Sequence, residues 1–97
     1  MNCKVKVTDW VAAFLRTLPR VIRVQVYQRL LVDLPSDPDG QLGPKVVPLA
    51  DMYSFQVTVE DPSQHPYRWW FVFYIDRGTP GELHVRSLRL DDGSELN

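Results

Sequence analysis

Apolar positions alternate with a period of two in the second half of the chain and recur every three to four residues in the first. Met52 to Glu60 alternates most strictly, with Tyr53, Phe55, Val57 and Val59 on one face of a strand and Ser54, Gln56, Thr58 and Glu60 on the other. Tyr67 to Asp76 (YRWWFVFYID) is rich in aromatic and β-branched residues and predicts a second strand. Tyr67, Trp69, Phe71, Phe73 and Ile75 form its unbroken apolar face. The reverse carries Arg68, Trp70, Val72, Tyr74 and Asp76, a mixture that calls for a second layer, a ligand or a partner. Arg77-Gly78-Thr79-Pro80-Gly81 has turn chemistry and alternation resumes at Leu83, which together predict a hairpin. Leu83 and Val85 share one parity while Leu88 and Leu90 share the other, so a bulge near Arg86-Ser87 or a departure from the sheet is expected.

The first half reads differently. Lys4-Val5-Lys6-Val7 alternates as a short strand, Thr8 stands as an N-cap, and Asp9 falls in the first turn of a helix over residues 9–17. Trp10, Phe14 and Leu18, with Val11 beside them, give that helix its apolar stripe. Pro19 suits the first turn of a second helix running to about Leu34. Ile22, Val24 and Val26 alternate as a strand would, but Val24, Tyr27, Leu31 and Leu34 make a helical stripe and Gln28 to Leu31 are good helix formers, which favours helix. Pro35 to Gly40 is loop chemistry that ends the helical half. Lys45 to Leu49 fits an edge strand because Pro48 cannot donate to an interior ladder. Asp61 to Pro66, which includes His65, turns the chain back, and residues 91–97 read as a polar, frayed tail.

These elements predict an α+β fold, with an N-terminal strand and an α-hairpin packed on one face of a three- to five-stranded, mainly antiparallel sheet. At 97 residues, 44% of them hydrophobic and 24% charged, the chain is expected to be one globular domain spanning 1–97. Cys3 is its single cysteine, so an internal disulfide and a cysteine-based zinc cluster are excluded and a reducing compartment is implied. The sequence contains no apolar run long enough for a membrane span, and MNCKVKVTDW lacks the apolar segment of a secretory signal; a cytoplasmic location is expected. The net charge of −1 is unevenly distributed. Residues 1–29 hold six basic side chains against Asp9, while residues 30–66 hold Lys45 against six acids. A basic first third can meet phosphate or an acidic partner, or can simply be a solvated helix surface.

The order of strand, two helices and antiparallel strands resembles the RelE/ParE superfamily of toxins from toxin–antitoxin pairs. Val47-Pro48-Leu49-Ala50-Asp51-Met52-Tyr53-Ser54-Phe55-Gln56-Val57 is similar to the family's leucine, loop and "lyelRv" strand. Pro66 to Tyr74 is similar to its "yRvfy" strand, and Leu83 to Asp91 takes the place of the closing strand. Arg68 falls on the family's arginine, and Arg86 or Arg89 falls near its basic closing-strand residue. Gln56 stands where the family has another arginine, and Asp91 to Glu95 has no counterpart of the tyrosine or lysine cluster of ribonuclease-type members.

The resemblance implies that the sheet face opposite the helices gathers Ser54, Gln56, Thr58, Arg68, Trp70, Tyr74, His84 and Arg86. Metal-independent RNA cleavage needs a group to take the 2′-hydroxyl proton, a cation for the phosphorane and a donor to the leaving oxygen. His84 fits the acid or base, Arg68 and Arg86 the clamp, and Trp70 or Tyr74 a stacking platform, with Gln56 and Arg89 as further binding residues. The implied function is an endoribonuclease-type toxin acting on ribosome-associated mRNA, or one acting on gyrase, silenced by a cognate antitoxin. The alternative is an inactive module on the same scaffold, with Arg68, Trp70 and Tyr74 anchoring a protein partner or a second copy in a homodimer. Two separated histidines without an acidic cluster at ligand spacing imply no metal, and no cofactor motif is present.

Overall fold

The computed structural model describes residues 3–47, 51–61 and 68–91. Strand β1 (Lys4–Val7) leads into helix α1 (Asp9–Arg16) and helix α2 (Arg20–Tyr27), which continues through a π-helical turn (Gln28–Asp33) and a last short helix α3 (Leu34–Ser36). A one-turn helix α4 (Pro38–Gln41) precedes the strands β2 (Lys45–Val47), β3 (Met52–Glu60), β4 (Arg68–Asp76) and β5 (Glu82–Asp91). The five strands form one sheet in the order β1-β5-β4-β3-β2. β1 runs parallel to β5 and the other pairs are antiparallel, in keeping with the mainly antiparallel sheet expected. The turn expected at residues 62–66, the Pro48-Leu49 end of the edge strand, Tyr67 and the tail beyond Asp91 lie outside the described residues.

The helices cover one face of the sheet. Phe55, Val57, Phe71, Phe73 and Ile75 project there and are fully buried, together with Leu15, Ile22 and Leu30 from the helical layer. Rings of Trp69, Phe71 and Phe73 stack in sequence along β4, each pair of centroids 6.1 Å apart. The parity change in β5 resolves as a bulge. Ile75 pairs with Val85 and Tyr74 with Ser87, which leaves Arg86 as the extra residue. Leu88 and Leu90 are thereby returned to the side of Phe73 and Phe71.

The helical stripes differ from those the spacing predicts. In α1 and the turn after it, Val11, Leu15 and Leu18 recur at i, i+4 and i+7 and are buried, with Phe14 packed partly against the same core, while Trp10 lies off that face and is 50% exposed. Thr8 occupies the N-cap position, though its hydroxyl makes no capping bond. In α2 and the turn beyond it, the buried row is Ile22, Val26, Leu30 and Leu34. Val24 and Leu31 face outward at 56% and 45% exposure. A strict four-residue repeat drifts by about 40° per step around an α-helix, so four such positions leave a single face. The wider π-helical turn takes up that drift, with Leu34 N–H bonded to the Arg29 carbonyl five residues back. Pro35 supplies a cause, since it has no N–H for the Leu31 carbonyl and its ring crowds that oxygen. The stretch expected to be loop after Pro35 also contains a helical turn, α4, which Asp37 caps by accepting the Gly40 N–H at 3.2 Å.

Candidate functional site

The register of the sheet sets the open face out in rungs. From one end to the other these are Glu60 with Arg68, Thr58 with Trp70 and Asp91, Gln56 with Val72 and Arg89, Ser54 with Tyr74 and Ser87, and Met52 with Asp76 and His84. β1 adds Lys6 beside His84 and Lys4 beside Glu82. The expected open surface is therefore present, with Trp70 41% exposed and residues 20–34 helical on the other side of the sheet.

Its parts divide into two groups. At one end, His84 Nε2 lies 2.8 Å from Glu82 Oε1, and Lys6 Nζ lies 3.4 Å from the same oxygen. The hydrogen bond from His84, opposed by some desolvation and aided by Lys6, holds the Glu82 carboxyl below its ordinary value. Next to it Asp76 accepts the Gly78 N–H at 2.7 Å and pairs with Arg86 at 3.2 Å. The Gly78 N–H is the main reason that the Asp76 carboxyl titrates below its ordinary range, with Arg86 adding to it against desolvation. At the other end, Arg68 pairs with Glu60 at 3.3 Å and Arg89 with Asp91 at 2.8 Å, on either side of Trp70.

Arg68 and Asp76 are eight residues apart on β4, roughly 27 Å at ~3.4 Å per residue. The clamp of Arg68 with Arg86 around His84 is thus not assembled within this chain. His84 and Arg86 share one end, Arg68 and Trp70 the other, and Gln56 with Arg89 and then Tyr74 lie on the rungs between. Lys6 and Glu82 join the His84 group without having been singled out in the sequence. Their parity was visible, but only the parallel pairing of β1 with β5 brings Lys6 to His84. Among the described residues, each of the open-face carboxylates Glu60, Asp76, Glu82 and Asp91 has a cationic partner. Among the described residues no group of three or more His, Cys, Asp or Glu side chains is placed to hold a metal. No helix is long and apolar enough to cross a membrane.

No family model and no curated protein matches the sequence. The fold is similar to that of a chain in the crystal structure of the toxin–antitoxin complex RelBE2 from Mycobacterium tuberculosis. The TM-score is 0.61 at 20% identity, covering 95% of this chain and 99% of that one. The likeness establishes a RelE-like fold over nearly the whole chain.

Proposed function

We propose that this chain is the toxin module of a toxin–antitoxin pair, silenced by a cognate antitoxin, and that it acts by binding a protein target of the gyrase type. The observation that carries the first part is the likeness in fold, end to end, to a chain of a toxin–antitoxin complex. The second part rests on the charge of the open face. Lys4, Lys6, Arg68, Arg86 and Arg89 stand there against Glu60, Asp76, Glu82 and Asp91, and every one of those carboxylates is ion-paired. Affinity for an RNA backbone comes mostly from uncompensated cations, and this surface offers nearly none. An exposed tryptophan flanked by two arginines is instead the composition of a protein-binding anchor.

The ribosome-associated mRNA reading has one observation in its favour, the imidazole of His84 oriented by Glu82 beside Lys6. In that reading His84 is the acid or base and Arg86, with Arg68 reaching another part of the RNA, supports the phosphate.

Induced expression in a bacterial host without the partner gene tests both parts. Growth arrest is expected, relieved by Trp70→Ala or Arg68→Ala and retained in His84→Gln, with DNA supercoiling by purified gyrase inhibited and mRNA left intact in a cell-free translation extract. Normal growth removes the toxin reading. Arrest that His84→Gln abolishes, accompanied by cut mRNA, replaces the protein target with RNA.

A further inference from the structure

The cations of this chain fall into two sets. Every lysine and arginine from Arg29 onward reaches a carboxylate, and so does Lys6. Arg16, Arg20 and Arg23 reach none among the described residues. All three stand at the turn that joins α1 to α2, with Arg16 closing α1 and Arg20 opening α2. The Arg23 guanidinium reaches back one helix to donate to the Arg16 carbonyl at 3.2 Å, which fixes its head group at that turn.

The surroundings do not offset this charge. Between Asp9 and Asp33 the sequence has no acidic residue. The Glu60 carboxylate is held by Arg68 at 3.3 Å, and Asp61 is buried. Glu60 also belongs to the other flank of α2, where its carbonyl accepts Gln25 Nε2 at 3.3 Å. At ~100° per residue, Arg20 and Arg23 lie roughly 140° and 160° around the helix from Gln25, turned away from the β3 edge.

Helix stability accounts for part of the arrangement. Arg16, in the last turn of α1, complements the dipole of that helix, and Arg23 satisfies one of its terminal carbonyls. Arg20 has no such reason. It opens α2, where the dipole disfavours a cation, and neither an acidic side chain in the first turn nor a side-chain cap compensates.

A surface of one sign over two helices is matched by a polymer of one sign, and duplex DNA carries a negative charge about every 1.7 Å of its axis. Proteins that hold single strands add aromatic platforms for unstacked bases. Between Val11 and Val26 the sole aromatic residue is Phe14, which packs against the core. Guanidinium-to-phosphate contact along a duplex needs no such platform.

We infer that the α1–α2 turn grips the phosphate backbone of duplex DNA through Arg16, Arg20 and Arg23, on the side of the molecule away from Trp70. The choice of DNA among duplexes rests on the gyrase-type reading, since such a target holds DNA. The open face then meets the protein and the helical turn meets the DNA beside it.

Binding of a fluorescein-labelled DNA duplex of about 20 base pairs to the whole chain is followed by anisotropy as salt rises from about 50 to about 200 mM. With three phosphates neutralised, the logarithm of the binding constant should fall against that of salt with a slope of about −2.7, a loss of about fortyfold over the range. Arg16→Gln combined with Arg20→Gln should cut the slope to about −0.9 and weaken binding at least tenfold at the lower salt. Trp70→Ala should leave both unchanged. Arg20→Gln alone should not lower the thermal midpoint, which separates a ligand contact from a structural one. Should the double variant not fold by circular dichroism, either single variant replaces it, with an expected slope of about −1.8.

The proposal is overturned by binding that does not weaken with salt, by no binding, by a slope unchanged in the arginine variants, or by tighter binding of RNA of the same length. Displacement of the DNA by polyglutamate of equal charge as readily as by unlabelled DNA also overturns it and assigns the turn to an acidic protein. DNA bound through these arginines by a chain that leaves gyrase supercoiling untouched removes the gyrase reading and keeps this one. Gyrase inhibition that survives in the double variant, with no DNA bound by wild type, removes this inference alone.

Discussion

The open face of the sheet and the outer flank of the helical layer are the two surfaces this fold leaves to solvent, and they are built on opposite terms. On the sheet, Glu60, Asp76, Glu82 and Asp91 neutralise Arg68, Arg86, Lys6 and Arg89 across or along strands. On the helices, Val21, Val24, Leu31 and Val32 are all more than two-fifths exposed, and Arg16, Arg20 and Arg23 have no carboxylate among the described residues. A surface that satisfies its own charges has little electrostatic demand for a partner. One that carries exposed valines and uncompensated arginines has both the apolar area and the field to attract one. Contact chemistry of two kinds is thus separated by the thickness of a single sheet and its helical cover.

The sharpest way to break this contrast is inside one helical turn. Leu30 is fully buried and Leu31 is 45% exposed. Leu30→Ala is expected to cost about 2–5 kcal/mol in urea unfolding, whereas Leu31→Ala should stay within about 0.5 kcal/mol. Equal losses would mean that the outer stripe belongs to the core. A smaller effect concerns the self-satisfied sheet. Asp76 holds the β4–β5 turn through the Gly78 N–H, so Asp76→Ala should destabilise by roughly 1 kcal/mol.

Acid titration sharpens the same point. The Asp76 and Glu82 carboxyls both titrate lower in the folded chain than in the unfolded one. At low pH the unfolded chain therefore takes up protons first, and the stabilisation these groups give is complete above the ordinary carboxylate range and is lost as pH falls through their folded values. Wild type should lose stability on acidification in that window, and Asp76→Ala should lose less, as read from thermal midpoints. The smallest expected effect is at the far rung. Glu60→Gln breaks an exposed pair with Arg68 and should change stability by no more than about 0.5 kcal/mol. A larger loss would show that the Trp70 end is held by its charges.

Much of the fold is legible in the sequence, for identifiable reasons. β3 and β4 are legible because one face of each is buried and the other is not, so period two is written directly into Phe55, Val57, Phe71, Phe73 and Ile75. The bulge at Arg86 was legible too, since a change of parity within an apolar run has few other causes. α2 was harder. It carries apolar residues on both flanks, and choosing Val24 and Leu31 over Ile22 and Leu30 amounts to choosing between two stripes of similar hydrophobicity. The site followed the same division. The composition of the open face was readable from β4, and the predicted hairpin already sets Arg68 and His84 at opposite ends of it, but the approach of Lys6 to His84 was not readable, because it depends on β1 pairing in parallel with β5.

By itself the sequence determined the element types, the apolar face of each strand and the excess of cations in the first third, because periodicity and composition are local properties. Only the tertiary structure decided which helix flank faces the sheet, which carboxylate each arginine meets, and how much of the β3 edge is left open. Those depend on register, on the widened turn after Tyr27 and on the length of β2, and each of them joins residues far apart in the chain.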